Sequence, residues 1–311
     1  MSFFSVIISV YNKSKTIQDT LQSALNQTFI DFEIIIIDDG SKDESASVIA
    51  TFNDARINYF YQENAGVSVA RNSGIEKSAG KVIAFLDADD YWCPNHLQVL
   101  HDLIQQNPDA GIFASRYISK VAENKFLKNH FLNLAENYGG IVPDFFHSSL
   151  INRIALTSAV AIPKTVLDEN GVFNPEIFSV EDLDLWIRIA LKYPVAITNT
   201  VTVEYNAMDN NSISKLDIHD KKLIDLSKFK KAEDSNKSLK AFLDVNRMDY
   251  ALKFKISGNL KSSKEYYNAI AKENITLKNW LVYHMPRWIQ LPLLKFKKKL
   301  LKNGVDFSVY R

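Results

Sequence analysis

The chain alternates short apolar runs with segments whose apolar residues recur at helical spacing. Phe3 to Val10 is a mostly apolar run of the kind a doubly covered strand needs, and Thr16 to Gln27 places Ile17, Leu21, Ala24 and Leu25 on one helical face. Phe32 to Ile37 reads as a strand, Glu44 to Phe52 as a helix and Ile57 to Tyr61 as a strand. A helix from about Val67 to Ser78 then leads through Gly80 into a buried strand, Lys81 to Leu86. Repeated βα units of this kind predict an α/β fold with a doubly wound, mostly parallel central sheet, helices on both faces and right-handed crossovers.

After Asp90 the rhythm changes. Asn95 to Gln106 reads as a helix ending before Pro108, Ala110 to Ile118 as a strand, Ala155 to Ile162 as another, Val180 to Leu191 as a helix and Val195 to Val203 as the last strand. Residues 119 to 153 lack periodicity and hold Gly139, Gly140 and Pro143, so they are read as including a mobile loop over the site. From Asp217 onward the chain is Lys-rich and helical, with a turn at Ser257-Gly258 and a helical hairpin over Tyr250 to Ala271. Two regions follow: residues 1–215 as an α/β domain and 216–311 as a helical C-terminal appendage.

Composition narrows the class. The 311 residues are 46% hydrophobic and 23% charged, an ordinary globular balance. The lone Cys93 excludes an internal disulfide and a cysteine-rich zinc site, which fits a reducing compartment. No basic leader with a cleavage site opens the sequence, and no apolar stretch approaches the roughly 18 residues a membrane span needs. The expected location is cytoplasmic, at most peripheral on the inner face of the membrane. The net charge of +1 hides an asymmetry: Thr276 to Arg311 carries eight of the 37 basic residues and one of the 36 acids, leaving −6 for the first 275 residues.

Candidate chemistry concentrates at strand ends. Asp87-Ala88-Asp89-Asp90 follows the strand that ends at Leu86, where a parallel sheet opens into its ligand crevice. Carboxylates crowded there repel one another, and a divalent cation bridging them to a phosphate offsets that cost. An acidic turn capping the next helix is the competing reading. Neither GxGxxG nor GxxxxGK[ST] occurs, so the common phosphate cradles are absent. Ser9, Tyr11 and Asn12 follow the first strand and Asp38-Asp39-Gly40-Ser41 the second; a carboxylate can accept a base N–H and a tyrosine can stack on the ring. Arg71, within Asn64 to Gly74, offers a planar fork to a base edge or a phosphate. Asp182 opens a helix, where the macrodipole favours a carboxylate, so proximity and orientation must supply much of its effect as a base. Asp184 should face elsewhere and is read as structural, Trp92 and Trp186 as core, and His96 and His101 as helix-surface residues. No Ser-His-Asp pattern supports nucleophilic catalysis.

Taken in order, Val6 to Asn12, Ile35 to Asp43, Gly66 to Gly74, Phe85 to Asp90 and Glu181 to Trp186 resemble the motifs of family 2 glycosyltransferases, over roughly residues 3 to 205. The resemblance implies a GT-A fold, Rossmann-like, and inverting transfer of a sugar from a nucleotide diphosphate donor, usually UDP-linked, to a hydroxyl of a glycan or lipid-linked acceptor, in surface polysaccharide synthesis. It implies that Ser9 and Tyr11 line the base pocket, Asp39 reads the uracil edge and Arg71 helps hold the nucleotide. Asp87, with Ala88 beside it, would approach the ribose or a metal-bound water, Asp89 would bind Mg²⁺ or Mn²⁺, and Asp182 would deprotonate the acceptor. Two departures stand out. The Gln-x-x-Arg-Trp of processive synthases is missing, since Arg287-Trp288 follows His284-Met285-Pro286 far beyond Asp182, which predicts a non-processive enzyme. After the last strand stands Tyr205-Asn206-Ala207-Met208 where many relatives have Arg and His.

Competing classes are a non-catalytic sugar-nucleotide or glycan-binding subunit and a nucleotidyltransferase. Retention of Asp39, Asp89 and Asp182 together argues against the first; consumption of a nucleoside triphosphate and sugar phosphate would favour the second. Acceptor recognition is expected from residues 119 to 160 and the appendage, and no nucleic-acid partner is expected. In the tail, Arg287 and the lysines at 295, 297, 298, 299 and 302 interleave with Trp288, Leu293, Phe296 and other apolar residues. Residues 286–302 thus suit peripheral contact with an anionic membrane, against a helix packed on the catalytic domain with a solvated Lys face.

Overall fold

The computed structural model describes residues 2–208, 218–220 and 222–303. Its order is β1 (Phe4–Val10), α1 (Ile17–Leu25), β2 (Phe32–Asp39), α2 (Ser45–Ile49), β3 (Ile57–Gln62), α3 (Val67–Lys77), β4 (Val82–Phe85), β5 (Tyr91–Trp92), α4 (His96–Gln106) and β6 (Ile112–Ala122). Then follow β7 (Lys125–Lys128), β8 (Gly140–Ile141), α5 (Phe145–Ser148), β9 (Val160–Pro163), α6 (Lys164–Asn170), α7 (Glu181–Ala190) and β10 (Val195–Asn206). The C-terminal helices are α8 (Lys230–Ser235), α9 (Lys237–Ser257), α10 (Leu260–Asn268), α11 (Leu277–His284) and α12 (Arg287–Lys302).

One sheet runs in the order β3-β2-β1-β4-β9-β6-β10-β5, with β7 against β6 and β8 against β10. β3, β2, β1 and β4 are parallel, and β9 enters antiparallel between β4 and β6. The inner strands are covered on both faces, which is why β1 and β2 are almost uninterrupted apolar runs. Ile7 of β1 stands against Ile35 and Phe85, and its side chain fills the space where a Cβ on Gly74 would come within 2.5 Å, so α3 packs directly on the sheet. The expected mostly parallel α/β architecture is present.

The stretch expected as an aperiodic loop, 119–153, contains the β6–β7 hairpin, β8 and α5. The helical hairpin is α9 and α10, turned by Gly258 at φ 95°. The main core does not stop at residue 215: Leu226, Phe229, Leu239, Phe242, Leu243 and Tyr250 belong to the same apolar cluster as the sheet. A second small cluster, Met248, Ala251, Ile270 and Tyr283, knits α9 to the helices after it. Among the described residues no helix is long and apolar enough to cross a membrane. Of the segment after the last strand, Tyr205 to Met208 is described, and residues 209–217 lie outside the described residues.

Candidate active site

Parallel register brings the C-terminal ends of β1, β2 and β4 to one edge of the sheet, with Val10 opposite Asp38 and Ile7 opposite Phe85. At the end of β1, Ser9 is half-buried and Tyr11 is 46% exposed, its ring open to a planar ligand. Asn12 follows in the left-handed region at φ 53°, where its N–H donates to Ser41 Oγ at 3.0 Å and its Oδ1 accepts from the Lys42 N–H at 2.8 Å. These two bonds stitch the β1 end to the β2 end.

The two acids after β2 have different tasks. Asp38 is locked by the Ser41 N–H and the Tyr59 hydroxyl, each at 2.8 Å. Asp39 accepts the backbone N–H groups of Ala65 and Gly66 at 2.9 Å and the Gln62 amide at 2.7 Å. Three donors on a carboxylate with about four acceptor directions leave room for one more N–H. Gly40 makes the turn possible: it sits at φ +79°, and a Cβ there would lie 2.8 Å from the backbone nitrogen of Asn64.

After β4 three acids have three different partners. Asp87 receives Arg71 Nη2 at 2.7 Å, and Asp89 receives Lys13 Nζ at 2.6 Å. Asp90 is buried; Ser158 Oγ and the Asn206 N–H bond its two oxygens at 2.5 and 2.8 Å, so it ties the end of β10 to the site. Burial, and then the neighbouring Asp89 and Asp87, push its carboxyl well above the usual carboxylate range. Asp87 and Asp89 keep partial exposure and are the pair able to meet a ligand. Between them Ala88 is buried, its carbonyl accepting from Thr16 Oγ1 at 2.8 Å.

Arg71 departs from its expected place. Instead of offering a free fork for the nucleotide, the residue is 4% exposed, with Nη1 on Glu181 at 2.5 Å, Nη2 on Asp87 at 2.7 Å and the guanidinium 5.2 Å over the Phe173 ring. Burial alone would lower its pKa, but Asp87 and Glu181 outweigh that and raise it. The partner Glu181 is itself shifted upward by burial, with Asp182 adding to the shift and Arg71 opposing it. Arg71 is therefore a strut joining the acidic turn after β4 to the first turn of α7.

Asp182 lies in that turn. Its Oδ1 accepts its neighbour's N–H, from Leu183, at 2.7 Å; Thr157 Oγ1 donates to Oδ2 at 3.4 Å; and Arg153 Nη1 stands 3.7 Å away. Val180, just before the helix, has φ 66°, a left-handed conformation that costs a β-branched residue on the order of 1–2 kcal/mol. Strain next to the candidate base is consistent with a backbone held for a purpose. Asp184 points away, buried between Arg188 Nε at 3.0 Å and the Lys228 ammonium, and is structural as expected.

The acids converge. Tyr205, whose hydroxyl burial drives strongly upward, also feels the charges of Asp90, Asp87, Asp89 and Asp182. Trp92 and Trp186 are core residues, as read from the sequence. His96 corrects its expectation: it is fully buried rather than on a helix surface, its Nδ1 2.7 Å from Thr202 Oγ1 and its ring tilted over Trp92, and burial lowers its pKa to about 3. Lys13, Arg153, Thr157, Ser158, Glu181 and Tyr205 enter the site without having been singled out. Only Glu181, adjacent to Asp182 in an acidic helix start, carried a readable signal.

Among the described residues no group of three or more His, Cys, Asp or Glu side chains could hold a metal ion. The donor set at hand is the oxygen pair Asp87 and Asp89. That fits Mg²⁺ or Mn²⁺, which bind through one or two carboxylates and complete their shell with phosphate oxygens and water.

Comparison with known proteins bears on the fold and the family. A solved structure of S. aureus TarS, residues 1–349 in complex with UDP-GlcNAc, superposes with a TM-score of 0.67 at 16% identity, covering 99% of this chain and 93% of that one, which shows the GT-A fold. A Rickettsia bellii protein named only as an uncharacterized glycosyltransferase is 35% identical over 192 residues, 60% of this chain but 26% of its own, so the match spans about a quarter of that relative. The Escherichia coli protein WfaP, named as a UDP-Glc:α-D-GlcNAc-diphosphoundecaprenol β-1,3-glucosyltransferase, is 30% identical over 221 residues, 69% of this chain and 80% of that one. The family model for glycosyl transferase family 2 matches residues 5–165, more than half of the sequence, and the chain belongs to that family.

Proposed function

We propose that this chain is an inverting, non-processive glycosyltransferase that moves a sugar from a UDP-linked donor to a hydroxyl of a glycan or lipid-linked acceptor in surface polysaccharide synthesis. Residues 1–215 would form the catalytic domain and 216–311 the helical C-terminal region. The observation that carries the proposal is the Asp87–Arg71–Glu181 chain of ion pairs, which couples the acidic turn after β4 to the helix turn bearing Asp182. A donor-side pair of carboxylates and a base candidate in fixed relation are what a single displacement needs. The names of WfaP and of the TarS complex support a UDP-sugar donor, and WfaP's supports a lipid-linked acceptor.

In this mechanism Tyr11 stacks on the base while Asp39 accepts its N–H in the one direction left open by the Gln62, Ala65 and Gly66 donors. Asp89 and Asp87 would hold Mg²⁺ or Mn²⁺ against the diphosphate. Such an ion neutralises charge developing on the leaving group. Lys13 and Arg71 add positive charge at the same acids, and Lys13 is near enough to Asp89 to orient it. Asp182 takes the proton of the acceptor hydroxyl as its oxygen attacks the anomeric carbon from the face opposite the departing UDP. One base is sufficient for inversion. Arg153, 3.7 Å from Asp182 and 3.2 Å from Asn246 of α9, keeps that carboxylate oriented and links it to the helical region.

Calorimetry tests the assignment. UDP, GDP and CMP and their sugar conjugates are titrated with and without Mn²⁺ into wild type, Asp39→Ala and Asp89→Ala. Asp39→Ala should weaken the nucleotide regardless of metal, and Asp89→Ala should remove only the metal-dependent part. If Asp89→Ala binds UDP with unchanged dependence on Mn²⁺, the metal assignment fails.

A further inference from the structure

The last two helices present a surface that the proposed transfer does not use. α11 exposes Leu277, Trp280 and Leu281, spaced i, i+3 and i+4. α12 begins seated on the protein: Gln290 is buried, its amide donating to the Val282 carbonyl at 2.7 Å, and Ile289 is half-buried beside it. From Leu291 to Phe296 the same helix is exposed, and Lys297, Leu300 and Leu301 are half-buried again. Ile289, Leu293, Phe296 and Leu300 recur at i, i+4, i+7 and i+11, one apolar stripe that is half-buried at Ile289 and Leu300 and exposed between them, with Leu293 46% and Phe296 59% exposed. Lys295 and Lys299 are exposed and lie roughly 130° and 90° around the helix from that stripe. Trp288, at the corner between the helices, is 74% exposed.

Soluble proteins rarely leave a contiguous apolar surface of this kind uncovered. The charge pattern selects among its possible occupants. Arg287 to Asn303 holds six basic residues and no acid, so an occupant must be apolar where it meets the stripe and negative where it meets the lysines. A second copy of α12 offers apolar surface but only more positive charge. An anionic bilayer offers both, and a helix with lysines to one side of Leu and Phe, flanked by Trp, lies in such an interface with its apolar side in the acyl boundary.

We propose that α11 and α12 dock the protein on an anionic membrane surface, with Leu293 and Phe296 inserted and Lys295 and Lys299 at the lipid phosphates. The proposal stands on the exposed stripe and its charge, independently of the transferase reading. Its test is co-sedimentation of the full chain, without donor or metal, with vesicles of phosphatidylcholine alone or mixed with phosphatidylglycerol. Wild type should pellet with the anionic vesicles at low salt and be released as salt rises. Lys295→Gln with Lys299→Gln should weaken that binding about twenty-five-fold, each lysine near anionic lipid being worth roughly a factor of five. Leu293→Asp with Phe296→Asp, on exposed side chains, should abolish binding while leaving circular dichroism and the melting curve unchanged. Wild type that stays in the supernatant at low salt overturns the proposal. So does a Leu293→Asp, Phe296→Asp variant that still pellets, or one whose only change is loss of a dimer in light scattering.

Discussion

Replacing Arg71 by Met keeps a long unbranched side chain in place and removes its charge. Two charge-assisted hydrogen bonds, at 2.5 and 2.7 Å, and a cation–π contact are lost together. Their effects are unequal. Asp87 is 30% exposed and can rehydrate, whereas the Glu181 carboxylate, 11% exposed, is left without its counter-charge. Breaking a buried pair in this way costs about 3–5 kcal/mol, most of it the penalty of the stranded partner. Glu181→Gln removes that penalty, so the double variant should recover about 2–3 kcal/mol relative to the sum of the singles. Equilibrium urea unfolding of wild type, both singles and the double measures the coupling directly. If Arg71→Met costs under about 1 kcal/mol, or the coupling is indistinguishable from zero, Arg71 is not the strut described here.

Gly40→Ala should cost about 1–3 kcal/mol, because φ +79° and the 2.8 Å approach to the Asn64 nitrogen both oppose a Cβ. It should also weaken UDP in calorimetry, since the displaced 64–66 backbone holds Asp39. For His96 the folded pKa of about 3 lies below its ordinary 6.5, so the stability it contributes is present above pH 6.5 and is lost as pH falls toward 3. Wild type should lose roughly 1.4 kcal/mol per pH unit on this account across that window. His96→Gln should flatten the slope there in urea titrations; an unchanged slope would remove His96 as its source.

The parts of this molecule that read clearly from sequence are those where burial forces a pattern. β1, β2 and β4 are apolar because both faces are covered, and the acids that follow them stand out against those runs. β7 was invisible because Lys125–Lys128 is almost wholly exposed and has no apolar side to alternate. His96 was legible in principle: with Leu100 and Leu103 it sits at i, i+4 and i+7 on the buried face of α4, and its polarity masked the spacing. Arg71 was hidden differently. The buried face of α3 is Ser68, Ala70, Arg71, Gly74 and Ile75; with small residues at three of these positions and one large apolar residue, the helix has little hydrophobic contrast, so nothing marked the arginine as interior. Lys13 and Arg153 reach their acids across 76 and 29 residues of chain, a juxtaposition that only the folded sheet creates.

The central claim is that Asp182 is the base of an inverting transfer, and Asp182→Asn tests it most directly, since the amide has nearly the same shape and cannot take a proton. Sugar transfer from the UDP donor that binds best is measured beside UDP and Mn²⁺ affinity in the same variant. The account predicts a loss of at least about 10²-fold in kcat, the usual contribution of a general base, with both affinities close to wild type. A variant that keeps more than about a tenth of wild-type kcat contradicts it.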